Sequence, residues 1–205
     1  MINIIFSALM QLLVLSVLPF IVYLTRYRKA AGFGAYIGLK PSPLRASLLA
    51  LLISLGLGLP MLLITKYNPS FFEIMTDPKS VTGQIRRMGF GANAIIAILF
   101  TALVKTALAE EILFRGFIAK RLIALTNFFW GNLIQAFLFG IMHSLLFLTI
   151  TMDPWFLLLI FLIPFSGALA KTWLNEKLAN GSIMPGWIAH GAGNLISYSV
   201  VAFLL

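Results

Sequence analysis

Long apolar runs separated by short polar segments dominate the chain. A helix that crosses a membrane needs about 20 predominantly apolar residues. Six runs reach that length, at about 2–24, 46–65, 92–118, 131–151, 154–174 and 183–205. The pattern predicts an all-α, polytopic membrane helical bundle of about six transmembrane helices, which forms one integral membrane domain over residues 1–205.

The connecting segments differ in charge. The 25–45 loop is basic and has no acidic residue, and the turns expected after the third and fifth runs carry Lys120 and Arg121, and Lys171 and Lys177. Because basic loops stay on the cytoplasmic side, these three segments are expected to face the cytoplasm of a multi-pass plasma-membrane protein. Both termini would then lie outside, and the mixed-charge 66–91 loop, expected to hold a short interfacial helix, would lie outside as well.

The composition agrees with a membrane protein and excludes several classes of site. Charged residues make up 10% of the chain and the mean hydropathy is +1.00, whereas a soluble domain has about 25% charged residues. The absence of cysteine excludes disulfides, thiolate metal sites and a cysteine nucleophile. The net charge is +9, but most basic residues flank apolar runs. This distribution predicts membrane lipids, and not nucleic acid, as partners.

Three charged residues, Glu110, Glu111 and Arg115, interrupt the third apolar run. Each charged group at the centre of a bilayer costs about 2.5–3.5 kcal/mol on insertion scales. Glu111 and Arg115 have the i, i+4 spacing of an intrahelical ion pair, with the acid on the favoured side. Glu110 points elsewhere on the helix, and is expected to be free for another partner. It is a candidate general base, and a purely structural buried pair is the alternative.

The chain has two histidines, and both lie in apolar runs. Phe139 and His143 are four residues apart, as are His190 and Asn194, so each pair shares one helix face. Gly140, like the small residues between His190 and Asn194, would let a neighbouring helix come close. Histidine and asparagine are suitable donors to an oxyanion, although the same residues could simply join helices.

Taken together, the three segments Glu-Glu-x-x-x-Arg, Phe-x-x-x-His and His-x-x-x-Asn resemble the motifs of the CPBP intramembrane proteases. That family contains the type II CAAX prenyl endopeptidases and bacteriocin-processing or immunity proteins. The resemblance covers about residues 90–200, the motif-bearing core. Gly38-Leu39-Lys40, followed by Pro41 and Pro43, also resembles the family's segment after the first helix.

The resemblance implies an endopeptidase. The positions of Glu110, His143 and His190 along their predicted helices would let them meet in a polar cavity that opens toward the cytoplasm. The resemblance also implies that Glu110 and His143 activate a water molecule, and that His190 and Asn194 form the oxyanion site. Glu111, Arg115 and Phe139 would support these residues. The substrate would be a membrane-associated or lipidated peptide or protein.

Several alternatives remain open from the sequence. Zinc bound by Glu110, His143 and His190 is an acceptable catalytic set. The sequence favours a glutamate mechanism without metal, because it has no His-Glu-x-x-His helix and Asn194 suits an oxyanion donor. A peptide-binding immunity factor or membrane scaffold of the same fold is the second functional hypothesis. A proton-coupled transporter ranks last, since no inverted repeat is evident. The sequence assigns no partner to Lys105.

Overall fold

A computed structural model describes residues 2–205 as a bundle of helices without strands. The nine helices are α1 Ile2–Tyr27, α2 Phe33–Tyr36, α3 Leu44–Tyr67, α4 Pro69–Met75, α5 Val81–Arg87, α6 Ala92–Leu125, α7 Phe128–Phe147, α8 Pro154–Leu178 and α9 Met184–Phe203. The all-α, polytopic fold predicted from the sequence is confirmed.

Five helices, α1, α3, α6, α7 and α8, are long and apolar enough to cross a membrane. The sixth predicted span is present as α9, which has 20 residues. It falls outside that group because histidine, asparagine and several glycines lower its hydropathy. The segment between α3 and α6 contains two short helices, α4 and α5, where one interfacial helix was expected.

The three basic segments lie at the same end of the bundle, as predicted. Lys120, near the end of α6, lies 2.5 Å from the carboxylate of Glu176 in α8. Next to it, the backbone N–H of Ile183 donates to the carbonyl oxygen of Gly38, at 2.9 Å. Gly38 has φ +80°, and a Cβ there would overlap a backbone carbonyl oxygen, so this residue must be glycine.

The opposite end joins the α3–α6 segment to the turn before α8 and to the end of α9. The Lys79 ammonium group donates to the carbonyl oxygen of Thr149 at 3.3 Å. The Arg86 guanidinium group donates to the carbonyl oxygens of Val201 and Ala202, each at 3.2 Å. The relative placement of the loops is thus established, and the assignment of one end to the cytoplasm stays a prediction.

Glycines allow the helices that carry the motifs to approach closely. A Cβ on Gly140 of α7 would lie 2.8 Å from the ring of Phe161 in α8. A Cβ on Gly191 of α9 would lie 2.8 Å from the side chain of Leu103 in α6. A larger residue at Gly140 would also meet the backbone of α8, and one at Gly191 would displace the end of the Leu103 side chain, so the helices approach closely at both glycines, as predicted.

Candidate active site

The first motif lies in a helix with an uncommon hydrogen-bond pattern. Within α6, Phe100–Leu108 and Glu111–Ala119 are π-helical, so backbone N–H groups donate to carbonyls five residues back. The Thr106 hydroxyl follows the same spacing, since it donates to the carbonyl oxygen of Thr101 at 2.8 Å. Such segments are frequent at functional sites.

Glu111 is the most heavily partnered group of the site and is fully buried. Its Oε1 atom lies 3.3 Å from an Arg115 guanidinium nitrogen, 3.2 Å from Nζ of Lys171 and 3.3 Å from Nδ1 of His190. The predicted Glu111–Arg115 ion pair is present despite the π-helical geometry. The other two partners come from α8 and α9, so one oxygen atom connects three helices.

Glu110 differs from its neighbour because its carboxylate is left without a direct partner. Its Oε2 atom is buried and, within residues 2–205, makes no hydrogen bond. Nε2 of His190 lies 3.8 Å from this oxygen atom. This agrees with the prediction that Glu111 takes the intrahelical arginine and leaves Glu110 free.

His190 and Asn194 are both held by α6. His190 places Nδ1 toward Glu111 and Nε2 toward Glu110. Asn194 donates from Nδ2 to the Thr106 hydroxyl at 2.7 Å, and this contact uses one of the two amide hydrogens. The second hydrogen remains available to another acceptor.

His143 packs against the ring of Phe139, which also contacts His190. Its Nδ1 atom lies 2.8 Å from the backbone carbonyl oxygen of Phe139. A carbonyl only accepts, so Nδ1 carries the hydrogen and Nε2 is left as an acceptor. The Phe139 ring centroid lies 4.4 Å from that of His143 and 6.0 Å from that of His190. In the described structure, His143 makes no hydrogen bond or ion pair with Glu110.

The buried Phe139 ring also stabilises the two cations that face Glu111. The Arg115 guanidinium carbon lies 4.0 Å from the ring centroid, and Lys171 Nζ lies 5.0 Å from it. The Arg115 nitrogens make no hydrogen bond of good geometry within residues 2–205, so cation–π contact supplements the ion pair. Phe139 therefore contacts both cations, and its supporting role stays a prediction.

A family model described as type II CAAX prenyl endopeptidase Rce1-like matches residues 92–196. This span contains all three motifs and slightly more than half of the chain. The chain belongs to this family. Neither the curated proteins nor the solved structures contain a significant match to it. The membership predicted from the motifs is confirmed, and it establishes a membrane protein of a protease family.

One charged residue of the cluster lies in a different place from the one that the sequence predicted. Lys171 was expected in a cytoplasmic turn, but it lies inside α8, is 6% exposed and pairs with Glu111. The turn begins later because α8 continues to Leu178. The available signal was that Lys171 directly follows an uninterrupted apolar run, where an ionisable residue commonly has a partner.

Two further supporting residues have no marked sequence signal. The Gly186 N–H donates to Oδ1 of Asn175 at 2.9 Å. A Cβ on Gly186 would overlap Oε2 of Glu111 and would lie 2.8 Å from Nδ2 of Asn175. Gly186 therefore makes room for the Glu111 carboxylate at the start of α9.

The residues expected to bind zinc in the alternative mechanism do not form a metal site as they are arranged. Among residues 2–205, no group of three histidine, aspartate or glutamate side chains could hold one metal ion. The ring of His143 packs against Phe139 and makes no polar contact with either glutamate in that part of the chain. The metal-independent mechanism stays a proposal.

Two features lie apart from the motif cluster. Apolar clefts are present between α7 and α8 and between α6 and α9, and neither is lined by a motif residue. Lys105 is half-buried, and nothing in the structure explains its presence.

Proposed function

We propose that this chain is an intramembrane endopeptidase that hydrolyses a peptide bond of a membrane-associated or lipidated peptide or protein. The observation that carries the proposal is the contrast between the two glutamates. Oε1 of Glu111 lies within 3.3 Å of three partners, whereas the Glu110 carboxylate has only the contact with His190, at 3.8 Å, although Oε2 of each glutamate lacks a hydrogen-bond partner. A free carboxylate in such surroundings can accept a proton from water.

In the proposed reaction, Glu110 takes a proton from water while Nε2 of His143 accepts the second hydrogen bond of that water molecule. The water oxygen attacks the carbonyl carbon of the scissile peptide. The carbonyl π electrons move to oxygen and form a tetrahedral oxyanion. The carbon–nitrogen bond then breaks, Glu110 returns the proton to the leaving amine, and a carboxylic acid and an amine are released.

His190 and Asn194 would stabilise the oxyanion. Asn194 has one amide hydrogen left after its bond to Thr106. His190 can donate from Nε2 when both of its nitrogens carry hydrogen, and Glu111 at Nδ1 stabilises that charged form. Removing one well-placed donor of this kind costs about 2.7–4 kcal/mol of transition-state stabilisation.

The test compares peptide termini across the proteome of cells that carry the wild-type chain, Glu110→Gln or Glu73→Gln, at equal membrane levels. Glutamine keeps the shape of glutamate and removes the base. Glu73 is exposed in α4, so Glu73→Gln is the matched control. We expect new termini with wild type and Glu73→Gln, and none with Glu110→Gln. Identical termini in all three, with the cellular phenotype retained by Glu110→Gln, would contradict the enzyme and favour a peptide-binding immunity factor or scaffold.

A further inference from the structure

With His190 neutral, the buried charges of the site balance only when Lys171 is counted. Glu110 and Glu111 contribute two negative charges, and Arg115 contributes one positive charge. Lys171 supplies the second positive charge from a different helix. An uncompensated charge in a buried cluster is strongly destabilising, so Lys171 favours the ionised form of the carboxylates.

Lys171 also decides where the Glu111 carboxylate points. Arg115 belongs to the same helix as Glu111, so that pair provides no contact with α8 or α9. Lys171 approaches from α8 and lies 3.2 Å from Oε1 of Glu111, the same oxygen that faces Nδ1 of His190. The ammonium group thereby holds Oε1 at the junction of the three helices.

The partner of Nδ1 determines what Nε2 of His190 can do. A histidine nitrogen that faces a carboxylate carries a hydrogen, and the ring orientation is set by that contact. With Nδ1 held on Glu111, Nε2 faces Glu110, 3.8 Å away. Displacing Glu111 would release the imidazole from this orientation.

We propose that Lys171 is a positioning residue, which holds Glu111 on Nδ1 of His190 and so aims Nε2 at the reacting side of the site. This inference rests on the proposed function for its effect on catalysis, but its effect on His190 can be measured without a substrate. Lys171 lies outside the three motifs.

The first test is nitrogen NMR of the imidazoles in the full chain, labelled with ¹⁵N and placed in lipid nanodiscs. The chain has only two histidines, and a His143→Gln background leaves His190 alone. We expect a protonated Nδ1 in the parent protein and in Lys177→Met, a control on the exposed side of the same helix. Lys171→Met should produce molecules with an unprotonated Nδ1, and Lys171→Arg, which keeps the charge, should restore most of the parent signal.

The second test uses peptides that span a cleavage site found in the terminus comparison. For Lys171→Met in the native His143 background, we expect kcat to fall by about 100-fold, as for small misplacements of a catalytic group, with KM nearly unchanged. Adding Lys171→Met to Glu111→Gln should have no further effect, because Lys171 acts through Glu111. That double variant removes both members of the Lys171–Glu111 ion pair and so leaves neither charge without its partner. It therefore remains interpretable if Lys171→Met alone misfolds.

A Lys171→Met protein whose His190 signals match those of Lys177→Met would overturn the proposal. A further loss on adding Lys171→Met to Glu111→Gln would overturn it as well. Absence of cleavage by the wild-type chain would instead count against the endopeptidase, and the NMR comparison would still decide the positioning role.

Discussion

Oε1 of Glu111 lies 3.3 Å from Nδ1 of His190, although 79 positions separate these residues in the chain. The contact joins the first motif to the third and leaves the opposite ring nitrogen facing Glu110. The two adjacent glutamates therefore meet the same imidazole from its two sides. Oε1 of Glu111 also contacts Arg115 and Lys171, whereas the Glu110 carboxylate contacts only the imidazole.

Gly186→Ala is expected to disturb this contact. The new methyl group would overlap Oε2 of Glu111, and overpacking of this kind costs about 1–3 kcal/mol. We expect lower thermal stability of the purified protein in detergent and a lower kcat.

Gly167→Ala is the matched control for that change, since its Cβ would meet only a side-chain carbon of Leu57 at an ordinary 3.7 Å. Equal stability and kcat for both alanine variants would contradict the tight fit at Gly186.

Arg115→Met is expected to destabilise the fold by about 3–5 kcal/mol, because it leaves one more negative than positive charge in the buried cluster. Combining it with Glu111→Gln restores neutrality, so the double variant should be more stable than Arg115→Met alone. Thermal denaturation of the purified variants measures both effects. Arg87→Met, at an exposed position, should change little, and a double variant less stable than Arg115→Met would contradict the charge argument.

Thr106→Val should lower kcat without raising KM. Valine keeps the shape of threonine but cannot accept the hydrogen bond from Asn194, so the proposed oxyanion donor loses its orientation. The decrease in kcat should approach about 10²-fold, which is the smallest decrease expected when such a donor is removed altogether.

Steady-state kinetics with a cleaved peptide checks the Thr106 prediction. Thr106→Ser retains the hydroxyl and should keep most of the activity. A Thr106→Val enzyme with normal kcat would show that Asn194 needs no support from α6.

Removal of metal tests the proposed glutamate mechanism against the zinc alternative. We expect kcat/KM to stay unchanged after dialysis against a chelator, with residual metal measured by mass spectrometry. Glu110→Gln, assayed in parallel, should be inactive under both conditions. Activity that disappears on dialysis and returns with zinc would contradict the prediction.

The sequence by itself determined the membrane bundle, the family and the local contacts of the motif. The Glu111–Arg115 pair could be predicted because four residues of one helix bring the two side chains together whatever the rest of the chain does. Gly140 could be predicted to permit close packing for the same reason, since the absence of a side chain is a local property. The π-helical pattern of α6 was not evident, yet it preserved that ion pair.

Only the tertiary structure decided which groups from other helices reach the two glutamates. Lys171 was predicted to lie in a turn, and its contact with Glu111 depends on how far α8 continues and how it rotates against α6. The bond from Asn194 to Thr106 and the fit of Gly186 against Glu111 depend likewise on the register between α9 and α6. Register between helices is set by the sum of many packing contacts distant in sequence, so no local spacing along this chain encodes it.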